Sequence, residues 1–97
     1  MALADLDTRP ADATSAATDL DRPYDVFLWN DPITPMLVVV LVLERIFGYA
    51  RQKAVDLMLT AHRTGKVVVW TGVRDRAVGY SIQLGTAGLQ STVGKAP

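Results

Sequence analysis

Eight consecutive apolar residues, Met36 to Leu43, follow directly on Thr34-Pro35 and constrain this chain more than any other feature. Proline has no N–H to waste at a first helical position, and Thr34 can cap the N–H groups beyond it. The spacing therefore predicts a helix from Pro35 to about Phe47, closed by Gly48 in the left-handed conformation. A helix on the surface of a two-layer fold shows a wet stripe. Extrapolated from Glu44, Arg45 and Gly48, that stripe passes through Leu37 and Leu41, and both are apolar. The first reading is a helix buried on more sides than usual; the second is an exposed apolar patch that meets a partner. The run is well short of the roughly 20 residues a membrane-spanning helix needs.

The segments around this helix alternate in period. Tyr24-Asp25-Val26-Phe27-Leu28-Trp29 is aromatic and β-branched and reads as a strand, with Asp25 its only charge. A second helix is expected from Ala50 or Arg51 to Thr64, because Ala54, Leu57, Met58, Ala61 and His62 share one broad face and Gly65 can close it. Val67-Val68-Val69-Trp70 reads as a buried strand, with Gly72 permitting a bend or bulge near its end. A third helix is expected from Asp75, as its cap, to Leu84, and a last short strand from Leu89 to Val93, after which the chain frays. The order β-α-α-β-α-β predicts an α/β (α+β) fold: a small two-layer sandwich, with a three-stranded sheet packed with three helices.

Residues 1–22 are a different kind of sequence. They carry five Asp against two Arg, a net charge of −3, with no aromatic and only three Leu. They are expected to form a flexible N-terminal extension to a domain spanning 23–97. The remainder is mildly basic, at +3, and an acidic segment beside it argues against a nucleic-acid partner. No basic start followed by an apolar stretch marks a signal peptide, so the expectation is a cytoplasmic protein with no membrane partner.

Chemistry is thin. There is no Cys and a single His, so neither thiol catalysis nor a zinc cluster is expected, and no metal or cofactor is implied. No G-x-S-x-G elbow and no Gly-rich phosphate loop occur, and Glu44 is the sole Glu. An enzyme is therefore not expected. Binding is better supported. Met58, Ala61 and His62 lie at i, i+3, i+4 on one strip of the second helix, and Met36 and Val39 on one strip of the first. Brought together by a helical hairpin, they would wall a small apolar pocket. Asn30, Asp31 and His62 would give it a rim of hydrogen-bond acceptors suited to an ammonium group. A peptide N-terminus that begins with a large hydrophobic residue has that shape.

These blocks, Asn30-Asp31-x-x-Thr34-Pro35-Met36, then Val39-Val40, then Ala54-x-x-Leu57-Met58-Leu59-x-x-His62-x-x-Gly65-Lys66, resemble the ClpS family of adaptor proteins over roughly residues 23–94. The resemblance implies a non-enzymatic adaptor that binds proteins whose first residue is Leu, Phe, Tyr or Trp. It implies delivery of these N-degron substrates to the AAA+ unfoldase of the Clp protease, the N-end rule route of proteolysis. It implies that Asn30, Asp31 and His62 hold the substrate's α-amino group. The hydrophobic pocket carries over to Ile33, Thr34, Met36, Val39, Met58, Ala61 and Leu89. In the region where the family docks on the N-terminal domain of the unfoldase, Asp75 keeps an acid while Tyr80 replaces a basic residue, and residues 1–22 resemble an extension that takes part in delivery. The chain departs from the family pattern at Pro32, where many members carry a second Asp, at Leu37 and Leu41, where acidic residues are usual, and at Ala61, a commoner Val, which should widen the pocket. Pro32 and the apolar helix face motivate an alternative, a module that docks on the unfoldase as a regulator and has lost N-degron binding.

Overall fold

The computed structural model describes residues 22–97, and the extension expected over 1–22 lies, Arg22 apart, outside the described residues. Six elements follow in order: β1 (Tyr24–Trp29), α1 (Met36–Phe47), α2 (Arg51–Thr64), β2 (Lys66–Gly72), α3 (Arg74–Thr86) and β3 (Ser91–Lys95). The order β-α-α-β-α-β is the one the sequence predicts. The sheet is antiparallel with β1 in the centre, in the order β2-β1-β3. Val26 and Leu28 of β1 point into the core, where they meet Val39, Val40 and Leu43 of α1, Ala54 and Met58 of α2, and Ala77 and Leu84 of α3. On the other face of β1 the pairing brings Trp29 opposite Lys66, and the Lys66 ammonium lies 5.2 Å from the centre of a Trp29 ring. The Trp29 indole N–H donates to the Thr92 hydroxyl of β3 at 2.8 Å.

Several local expectations are corrected. Thr34 does not cap α1: its hydroxyl donates to Asp31 Oδ2 at 2.8 Å, and Pro35 takes the N-cap position with no side-chain cap. Asp75 does not cap α3; Val73 stands there and Asp75 lies in the first turn. The bulge falls at Val69 rather than at Gly72, because Val26 pairs with Trp70 while Phe27 pairs with Val68. Gly72 serves packing instead, since a Cβ there would collide with the Trp70 ring. The last strand starts two residues later than expected and includes Gly94 and Lys95, which pair with Asp25 and Tyr24 rather than fray. Gly88, at φ +92°, turns the chain after α3, and the Leu89 N–H donates back to the Leu84 carbonyl at 3.0 Å. Leu89 is thus a buried residue that seals a helix end, not the first residue of a strand.

The α1 face is the largest correction. Leu37 is 60 % exposed and Leu41 46 %, so the apolar run is not buried on extra sides but leaves an open patch. The far end of the hairpin is held by aromatic packing. Phe47 stacks on Tyr49 at 5.1 Å and meets Tyr80 at 4.7 Å, and the Tyr49 hydroxyl donates to the Val69 carbonyl at 2.7 Å. Among the described residues no helix is long and apolar enough to cross a membrane.

Candidate functional site

The site begins where β1 ends. The Trp29 N–H donates to the Gln90 carbonyl and the Asn30 N–H to the Gly65 carbonyl, both at 2.9 Å. These two bonds tie the start of the loop to the end of α3's turn on one side and to the end of α2 on the other. Gly65 can close α2 there because it adopts φ +97°, a conformation that side chains resist. The loop is then folded by Asp31. Its Oδ1 accepts the Ile33 N–H at 2.9 Å and its Oδ2 accepts the Thr34 hydroxyl at 2.8 Å. This is an Asx-type turn reinforced by a threonine, and it is the reason Thr34 is unavailable as a helix cap.

Loop, α1 and α2 enclose a cavity of about 220 Å³. Asn30, Asp31 and Thr34 line it from the loop, Met36 and Val39 from α1, Met58, Ala61 and His62 from α2, and Leu89 from the turn before β3. Nine of the ten residues expected around one pocket therefore share one cavity. Ile33 does not: it is 89 % exposed and forms no part of the wall. The turn made by Asp31 spends the Ile33 N–H inside the loop, and sequence spacing alone does not reveal that the side chain is left in solvent. Four further residues line the wall: Pro32 and Pro35, which the sequence marks only as a departure from the family pattern and as a helix start, and Leu28 and Trp29, which it marks only as strand. Leu28 and Trp29 are the last residues of a strand already assigned to the sheet, and their position next to Asn30 was the only signal available.

Electrostatics separate rim from wall. Hydrogen bonds from the Ile33 N–H and the Thr34 hydroxyl hold the Asp31 carboxyl below its ordinary value. Its folded-state pKa is depressed, so the stability it contributes is present above the unfolded value of about 3.9 and is lost as pH falls through the lowered folded value. From weakly acid to neutral pH the carboxylate is thus constant. Each of its oxygens accepts one bond and retains capacity for another. The side chains of Asn30 and His62 make no hydrogen bond among the described residues. The rim can hold a cation, and the wall of Met36, Val39, Met58, Ala61 and Leu89 can hold an apolar side chain. Two methionines make that wall adaptable in shape. Among the described residues there is no group of three or more His, Cys, Asp or Glu able to hold a metal ion.

Asp75 and Tyr80 lie elsewhere. Asp75 is in solvent in the first turn of α3, 3.6 Å from Arg74. Tyr80 is half-buried, with its ring against Phe47 and Trp70 and its hydroxyl accepting a bond from Arg76 at 3.0 Å. Five positions apart on a helix, the two do not share a face.

Fold and cavity together define a small α+β binding domain with an apolar cavity and an acceptor-rich rim. The comparisons with known proteins point to one family. The family profile described as ATP-dependent Clp protease adaptor protein ClpS matches residues 19–92. The ATP-dependent Clp protease adapter protein ClpS of Nocardia farcinica is 40 % identical over 73 residues, which cover 75 % of this chain and 69 % of the relative. That of Corynebacterium jeikeium is 38 % identical over 79 residues, 81 % of this chain and 78 % of the relative. Among solved structures, Agrobacterium tumefaciens ClpS2 bound to L-phenylalaninamide superposes with a TM-score of 0.69 at 32 % identity, covering 78 % of this chain and 99 % of that one. The chain belongs to the ClpS family of Clp protease adaptors.

Proposed function

We propose that this cavity binds the first residue of substrate proteins that begin with Leu, Phe, Tyr or Trp, and that the chain delivers them to the AAA+ unfoldase of the Clp protease. The observation that carries the proposal is the pairing, in one cavity, of a wall of apolar side chains with a rim that offers acceptors and a fixed negative charge. Asn30, Asp31 and His62 hold the α-ammonium, and Thr34, Met36, Val39, Met58, Ala61 and Leu89 receive the side chain. L-phenylalaninamide, the ligand of the Agrobacterium relative, joins a free α-amine to a benzyl group and supports this reading. Asp75, with the exposed edge of Tyr80, is assigned to docking on the N-terminal domain of the unfoldase, and residues 1–22 to delivery.

Titration of two peptides that differ only in their first residue tests the proposal. The peptide beginning with Phe binds and saturates; the one beginning with Ser binds far more weakly, because it leaves the apolar wall unfilled. Equal affinity for both would remove the wall from the recognition. A second reading, a docking module without an amine site, is favoured by Pro32, which lines the cavity where many family members carry an acid. Binding of the unfoldase with no binding of either peptide would establish that second reading.

The rim also predicts a substitution series at His62. An imidazole nitrogen can accept a bond from the ammonium. His62→Gln keeps an acceptor and retains most of the affinity, whereas His62→Leu offers none and lowers it several-fold. Fluorescence anisotropy of a labelled peptide measures both, and His62→Leu binding as tightly as the unaltered protein would exclude His62 from the amine contact.

A further inference from the structure

A second concavity lies between α1 and α3, on a different stripe of α1 from the one that walls the peptide cavity. Val38, Val42 and Ile46 of α1 face Ile82 of α3 and Ala87, the residue after that helix, across a groove of about 560 Å³. Ile82 is 63 % exposed, and Leu37 and Leu41 extend the apolar surface along its border. The groove holds one charged residue, Arg45. Arg45 makes no ion pair among the described residues, because the neighbouring Glu44 is taken by Arg51 at 2.7 Å. An apolar floor with one unanswered cation selects an occupant that carries apolar side chains next to carboxylates.

The chain supplies such a segment itself. Residues 1–21 carry five Asp against Arg9, a net charge of −4. Their first seven, Met1-Ala2-Leu3-Ala4-Asp5-Leu6-Asp7, interleave Leu3 and Leu6 with Asp5 and Asp7. We propose that this acidic, apolar start of the chain seats in the α1–α3 groove, with Leu3 and Leu6 against the apolar floor and a carboxylate of Asp5 or Asp7 on Arg45. Reach permits it. Tyr24 pairs with Gly72, two residues before α3 begins, so the segment is joined at the end of the sheet where α3 starts. Ile82 lies eight positions along α3, about 12 Å away by the helical rise. The stretch from Leu6 to Arg22 can span up to about 50 Å when extended. Tethering raises the effective concentration to the order of millimolar, so a weak contact suffices. A second copy of the chain is a poorer occupant through the same groove, since it answers one Arg45 with another.

The chain has no Cys, so a nitroxide can be placed at one position by Ala4→Cys in the full-length protein. The expected result is loss of the amide signals of Val42, Arg45, Ile82 and Thr86, with those of Thr92 and Lys66 on the sheet retained. The loss persists on dilution, and Arg45→Glu restores the signals. Retained signals at the groove would overturn the proposal. So would undiminished loss in Arg45→Glu. Loss that appears when nitroxide-bearing chains are mixed with separate isotope-labelled chains would overturn it in favour of contact between copies.

Discussion

Asp31→Asn lowers the affinity for a peptide with a free hydrophobic N-terminus by roughly ten- to a hundredfold, the loss expected when a hydrogen bond to a charged group is withdrawn. The substitution is chosen because Asp31 does two things. It folds the loop by accepting the Ile33 N–H and the Thr34 hydroxyl, and it brings negative charge to the cavity rim. An Asn carbonyl can still accept the Ile33 N–H, so the turn survives while the charge is removed. Asp31→Ala removes both and is less informative. Thr34→Val is the complementary control: the carboxylate remains and one loop bond goes, so the loss of affinity is several-fold smaller. Calorimetric titration of the three variants measures the ranking. Asp31→Asn binding as tightly as the unaltered protein would show that the carboxylate acts only on the loop.

Leu43→Ala destabilises the fold by about 2–5 kcal/mol, the cost of emptying a fully enclosed leucine site. Leu43 is 0 % exposed and is among the largest side chains wholly enclosed in the core. It lies on the same helix as Met36 and Val39, one stripe inward from the groove residues Val38 and Val42. In a domain of this size that loss lowers the melting temperature by roughly 10 °C or more. Urea denaturation shows it as a lower midpoint with an unchanged slope. Leu41→Ala, at a half-exposed position two residues away, changes the midpoint little. Equal losses at Leu41 and Leu43 would mean that the outer face of α1 is covered in solution.

The two substitutions mark what the sequence made legible. The buried face of α1 and the strip Met58-Ala61-His62 of α2 follow from helical period, and β1 follows from its residue types; all three stand where period and type put them. The errors cluster where a side chain chose between local partners. Thr34 and Asp75 both have the chemistry of a cap, yet Thr34 gives its hydroxyl to Asp31, and the N-cap of α3 falls at Val73. The same competition leaves Ile33 outside the cavity wall. The sequence places Leu89 at the start of the last strand. The left-handed turn at Gly88 instead folds it back on Leu84, a three-dimensional closure that no two-residue pattern encodes. Leu37 and Leu41 show the limit of hydrophobic pattern: an apolar run locates a helix, but whether its far side is covered depends on what packs there.

The proposed recognition is of a free α-amine together with the side chain beside it. One peptide beginning with Phe, titrated with its α-amine free and again with that amine acetylated, tests this most directly. Acetylation removes the positive charge and adds bulk at the rim formed by Asn30, Asp31 and His62, while the benzyl group that fills the wall is unchanged. The expected result is saturable binding of the free peptide and no measurable binding of the acetylated one. Equal affinity for the two would contradict the account.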